Sequence, residues 1–163
     1  VDTLYNNILS LSRNKLLYTM FNLTDTFQNR VYLIFIHISF LFIKIKQSNQ
    51  KEIYKIFYQK MFDLIFNKIE LNMREIGYGD IIINKNMKFF VKVFYNILLN
   101  CENLNKKSLN HKEIFFFKYL EHNNTGKKAN NAHLVEYFDK YQTFCLDLSL
   151  DSVLKGVLNF KYK

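Results

Sequence analysis

Proline and tryptophan are absent from this 163-residue chain, and only four glycines occur. Proline breaks a helix by clashing with the preceding turn and removing a donor, and glycine weakens it through backbone freedom. A chain nearly free of both disfavours a strand-and-turn architecture and favours long helices. Arginine is scarce as well, with Arg13, Arg30 and Arg74 the three among 23 basic residues. Bidentate reading of base edges relies on the guanidinium fork, so specific recognition of DNA is disfavoured.

Groups that carry chemistry are equally thin. The two cysteines, Cys101 and Cys145, have no metal-like or redox-like spacing and read as small, reduced core residues. His37, His111, His122 and His133 lack the spacing of a zinc or di-iron site. Gly77-Tyr78-Gly79 has neither the third glycine nor the preceding strand of a dinucleotide loop. No serine, threonine or cysteine stands in a nucleophile motif. Asp63 and Glu70 share a helix face, but Arg74, four residues after Glu70, makes a salt-bridged rim of them. Neither cofactor nor metal is expected. The one catalytic reading, His37 working with Glu75 or Asp80 in an interior pocket, ranks below a binding role without turnover. No basic-then-apolar leader opens the residues. The longest apolar run, residues 31–43, is interrupted by His37 and falls short of the ~20 residues a membrane-spanning helix needs. It reads as a buried helix.

What the chain does hold is apolar mass and positive charge. Hydrophobic residues make up 49%, enough for a core within one domain over residues 1–163. Phe, Ile, Lys, Asn and Tyr dominate as AT-rich coding imposes, so position informs more than abundance. The net charge of +9 predicts attraction to nucleic acid, ribosome or an anionic membrane surface.

Periodicity predicts an all-α bundle of about five to seven helices around a long buried one. Asp2 caps a helix to about Leu11, and residues 13–22 form a connection. Asp25 or Thr26 caps the central helix, which runs to Gln47. A second long helix covers residues 49–76, with Gly77 as its left-handed cap. Asn84 or Asn86 opens a third, to Asn100. A fourth spans residues 108–121, residues 123–126 form a polar loop, and a fifth spans residues 129–144. Ser149 caps a last short helix closed by Gly156, and the tail from Val157 is irregular.

The third helix places Lys85, Lys88 and Lys92 on one face, opposite Met87, Phe90, Val91, Phe94 and Leu98. Phe89 and Val93 fall on its flank. Lysines bordered by exposed apolar groups suit an anionic membrane, ribosomal RNA or an apolar polypeptide.

Asp25-Thr26-Phe27, Arg30, Leu33, His37 and Leu41 make one compound signal. Phe62-Asp63-Leu64-Ile65-Phe66 and the run Asn72-Met73-Arg74-Glu75-Ile76-Gly77-Tyr78-Gly79-Asp80 extend it, and Lys85, Met87-Lys88 and Phe94-Tyr95 complete it. This pattern resembles the ubiquinol–cytochrome c chaperone family. Leu4-Tyr5, Arg13 and Leu17-Tyr18 fit the start of that family, and Val153-Leu154-Lys155-Gly156 with Phe160 is similar to its close. Lys68 stands where the family often carries an acid, and residues 100–150 diverge. The resemblance implies a helical assembly chaperone for the cytochrome bc complex, respiratory complex III, that binds newly made cytochrome b. It also implies work beside the ribosome with a small helical partner subunit, on the inner face of the cytoplasmic membrane or the matrix side of a mitochondrion. Contact with client, partner or membrane is expected from Tyr78, Lys85, Lys88, Phe89 and Lys92. A polar network of Asp25, Arg30, His37, Arg74, Glu75 and Asp80 is expected to lock the helices around the Gly77–Gly79 turn. The alternative is a basic ribosome- or RNA-associated module with no cytochrome b client.

Overall fold

The computed structural model describes residues 1–123 and 132–162. Asp2 enters the first turn of α1 (Asp2–Ser12) rather than capping it, and Val1 takes the cap position. The expected connection after α1 contains a single-turn helix, α2 (Lys15–Thr19), because the Asn14 side chain accepts from the Leu16 amide and starts one. Thr26 accepts from the Asn29 amide and starts α3 (Phe27–Lys46).

Next come α4 (Lys51–Ile76), α5 (Asp80–Cys101), a 3-10 turn at Leu104–Lys106, α6 (Leu109–Tyr119), α7 (Ala132–Asp147) and α8 (Leu150–Leu154). Among the described residues, six α-helices have eleven residues or more and two have five. The expected loop residues 124–126 and the expected helix start at Ala129 lie outside the described residues. Ser149 caps α8 as read from the sequence, and Ser108, expected as the first residue of its helix, caps α6.

Every residue from Val31 to Ile43 in α3 is buried, because α1, α4, α5 and α7 all pack on it. By length and composition α3 could cross a membrane, yet 83% of its apolar window is covered by the rest of the chain. A helix apolar on all sides is satisfied by complete burial. Interlocked rings fill the space around it, with Phe35 lying 5.2 Å from Phe94 and 5.5 Å from Phe66. Phe116 stacks on Phe138 at 5.0 Å where α6 meets α7.

α5 begins at Asp80, four residues before Asn84. The Ile81-Ile82-Ile83 run hid this start, since β-branched residues are weak helix formers. Two other signals outweigh them. Gly77 adopts φ +105° and closes α4, with the Tyr78 amide donating to Met73 O and the Gly77 amide to Arg74 O. Asp80 then sits in the first turn of α5, where a carboxylate is favoured by the helix dipole.

Asn29 was not singled out in the sequence, and it is nearly fully buried. Its Nδ2 donates to Thr24 O and Glu121 O, both at 2.8 Å, and its Oδ1 accepts from the Glu121 amide at 2.9 Å. It thereby staples the entry to α3 onto the segment after α6, beside the Leu23–His122 bridge. Asn29→Ala removes three part-buried hydrogen bonds and leaves a buried cavity, and is expected to cost about 2–4 kcal/mol. Thr26→Ala removes only a helix cap, costing about 1 kcal/mol. Thermal unfolding of both variants checks the order, and an Asn29 variant as stable as wild type would discard the staple.

Candidate binding surface

α5 presents two unlike faces. Ile83, Phe90, Phe94, Ile97 and Cys101 are buried against α3 and α4. Val93, expected at the flank, is buried with them at 9% exposure. The outer face follows steps of three and four residues: Ile81, Lys85, Lys88, Lys92, Tyr95 and Leu99, with Ile82 and Phe89 alongside. The three lysines are exposed and have no ion-pair partner among the described residues.

The apolar members of this face are more exposed than the sequence reading allowed. Ile81 is 86% exposed, Leu99 66% and Phe89 54%. Ile82 and Tyr95 are about half exposed, and Tyr78 and Ile76 flank them at the turn. Large apolar groups clustered on one helix face mark an interaction site on a folded protein. Ile81 and Ile82 lie before the start expected from the sequence, and Leu99, although inside the expected helix, was not singled out there. A start at Asp80 brings the two isoleucines into register with the lysines.

Tyr95 lies over Phe62 at 6.1 Å and forms one wall of a groove of about 420 Å³ with Tyr54 and Tyr58 of α4. Burial, with Tyr95 as hydrogen-bond partner, pushes the Tyr58 hydroxyl well above its usual range. The groove therefore offers neutral phenols beside Lys46 and Lys55, and it extends the apolar-and-basic character of α5 sideways.

The six residues expected to form one polar network separate into distinct places. Arg30 holds Asp25 through two hydrogen bonds of 2.7 and 3.0 Å at the start of α3. This pairing lowers the Asp25 carboxyl below its ordinary value. Arg74 bridges Glu70, at 3.1 Å, and Asp80, joining the end of α4 to the start of α5. Glu75 is exposed and pairs with neither arginine. His37 is far inside: its Nδ1 donates to Leu33 O at 2.7 Å, and its Nε2 accepts from the Tyr137 hydroxyl at 2.8 Å. A second tyrosine, Tyr141, donates to the His37 carbonyl at 2.8 Å. Side chains this short do not span four helices, so each pair stays local, and only Arg74 with Asp80 acts at the turn.

His37 thus docks α7 onto α3. Burial, opposed by the bond to Leu33, brings its imidazole down to about 4, so the ring is neutral at physiological pH. Both nitrogens are occupied and neither contacts a carboxylate, so the arrangement offers no general base. Burial pushes up the Cys101 thiol and raises Cys145 to about 12, against the opposing hydrogen bond from the Tyr141 hydroxyl. Neither supplies a thiolate nucleophile at neutral pH. Among the described residues no cluster of three or more His, Cys, Asp or Glu could hold a metal ion.

The whole arrangement is close to a known fold. The crystal structure of the Cbp3 homolog from Brucella abortus superimposes with a TM-score of 0.80 at 20% identity, covering 98% of this chain and 87% of that one. No curated protein sequence matches. Residues 19–111, from α2 through α5 to the start of α6, match the family described as ubiquinol-cytochrome C chaperone. The matched stretch includes the central helix, the Gly77–Gly79 turn and the outer face of α5, and it makes up more than half of the sequence. The chain belongs to the ubiquinol–cytochrome c chaperone family.

Proposed function

We propose that this protein captures newly made cytochrome b through the outer face of α5 and so promotes assembly of the cytochrome bc complex. Family membership supports the broader role, an assembly chaperone for respiratory complex III acting on a client protein. The observation that carries the finer reading is the mixture on α5, where exposed Ile81, Ile82, Phe89, Tyr95 and Leu99 interleave with Lys85, Lys88 and Lys92.

A chaperone for a multi-helix membrane protein meets segments of ~20 apolar residues, about 30 Å long, that aggregate in water. The face from Ile81 to Leu99 is eighteen residue steps, about 27 Å, along the axis. It can cover most of one such helix, while the lysines meet anionic headgroups or the acidic ends of the client. An RNA partner would use the lysines but leave the isoleucines and Leu99 wet, so the apolar client is favoured over a purely ribosomal role. This contact belongs where cytochrome b is inserted, on the inner face of the membrane.

Deleting the gene is expected to abolish mature cytochrome b and complex III while other respiratory complexes persist. Complex III at normal levels in the deletion strain would overturn the proposal. Affinity capture of the tagged protein during cytochrome b synthesis is expected to retain the client at moderate salt. Capture of ribosomes alone, lost steeply as salt rises, would point to the RNA-associated role instead.

A further inference from the structure

Two adjoining cavities open between α1, α2, the start of α3 and the end of α4. The first, about 280 Å³, has Leu9, Val31, Ile34, Ile69 and Ile76 in its walls. The second, about 250 Å³, is lined by charged and hydroxyl-bearing residues, Lys15, Tyr18, Thr19 and Asp25 among them. Arg13 and Arg30 belong to both. A greasy slot therefore opens into a basic one, with two guanidinium groups at the boundary.

The charges do not cancel. Asp25 is engaged by Arg30, leaving Arg13 and Lys15 without an ion-pair partner among the described residues. Glu75, on the wall of the apolar slot, pairs with neither. An unpaired guanidinium is suited to grip phosphate oxygens through parallel, charge-assisted hydrogen bonds. An apolar slot beside it gains dispersion contacts and sheds water when a hydrocarbon chain enters. Neither half alone has the dimensions of a drug-sized ligand site, but the pair together does.

We propose that this double cavity binds an amphiphile with a phosphate head and a single hydrocarbon chain in reach. The phosphate sits on Arg13 and Lys15, and the first part of the chain lies in the slot between α1, α3 and α4. The site meets the outer face of α5 at Ile76 alone, while Arg13 and Lys15 lie outside that face, so the Arg13 variant tests it independently of client capture.

The full chain is titrated with lysophosphatidylglycerol below its micellar concentration and followed by calorimetry and native mass spectrometry. One lipid per chain is expected. Arg13→Gln should weaken binding about tenfold or more, the scale of one charge-assisted contact. Ile76→Trp, at an exposed edge of the slot where folding is not at stake, should weaken it comparably by filling the space. Lysophosphatidylcholine, whose choline offsets the phosphate charge, and inorganic phosphate, which lacks the chain, should each bind at least tenfold more weakly than lysophosphatidylglycerol. Charge reversal at Lys88 should change nothing. The proposal fails if wild type binds no lysophosphatidylglycerol, if the choline lipid binds as well, if free phosphate binds as tightly, or if Arg13→Gln has no effect. Failure here would leave the α5 results standing, and failure there would leave these.

Discussion

Replacing Lys85, Lys88 and Lys92 together by glutamate is expected to weaken client capture by a hundredfold or more. A lysine close to an anionic surface contributes about 1 kcal/mol, so loss of three approaches 3 kcal/mol before any repulsion from the new carboxylates. The three side chains are exposed and have no ion-pair partner among the described residues, so the fold should tolerate the change to within about 0.5 kcal/mol. A companion variant, Ile81→Ser with Phe89→Ser, removes apolar area and keeps the charge. Burying a side chain of that size contributes about 1.5–3 kcal/mol, so the pair should lose affinity on a similar scale. Salt separates the two effects: wild-type capture and the serine variant keep a salt dependence that the glutamate variant loses. Capture is measured by retention of cytochrome b on the immobilised, folded variants. Undiminished capture by both would remove the outer face of α5 from the binding site.

Acid should destabilise this protein through His37 well before its core is otherwise disturbed. The imidazole takes up a proton near 6.5 when unfolded and near 4 when folded. Between those values the unfolded state holds more protons, so each step down in pH favours unfolding. The stability that comes from keeping the ring neutral is complete above about pH 6.5 and is lost as pH falls toward 4, reaching about 3 kcal/mol there. The neighbouring hydroxyls of Tyr137 and Tyr141 are pushed up by burial and do not titrate in this range. His37→Gln keeps a carbonyl to accept from Tyr137 and removes the titration. Denaturant unfolding at a series of pH values should therefore show a steep fall between 6.5 and 4 in wild type and a flatter one in the variant. Equal slopes would mean that His37 is not the group responsible, whatever the absolute stability of the variant.

Much of the helical framework was legible in the residues. Thr26, offered with Asp25 as an alternative, and Ser149 read as caps because a short hydroxyl before an apolar-periodic segment satisfies free amides, and both do so. Gly77 read as a terminator because the left-handed conformation it adopts strains any other common residue. Gly156 follows α8 at φ +80° for a further reason invisible to local pattern: a Cβ there would meet Leu4 N at 2.9 Å, since α1 lies against it. The start of α5 was misplaced because three isoleucines argue weakly against a helix, while Asp80 and Arg74 argue for it across a turn.

The binding surface was half legible. The lysine spacing placed Lys85, Lys88 and Lys92 on one face, and the structure leaves that face open. The apolar part of the same face, and the separation of the six polar residues into local pairs, could not be read from spacing. Abundant phenylalanine, discounted as a coding effect, proves to fill the core: Phe35, Phe42, Phe94, Phe116 and Phe138 are among its largest fully buried side chains.

By itself the sequence determined the local events: where helices end, which stripe of each is apolar, and the positive charge of the surface. These depend on neighbours within one or two turns and on composition. Only the tertiary structure decided which apolar stripes were covered. α3 is hidden because four helices close over it, and the outer face of α5 stays bare because no helix among the described residues does so. The same packing carried His37 to Tyr137, 100 positions away, and Asn29 to Glu121, 92 positions away. Coverage is a property of the assembled surface, set by which elements meet, and no single segment carries it.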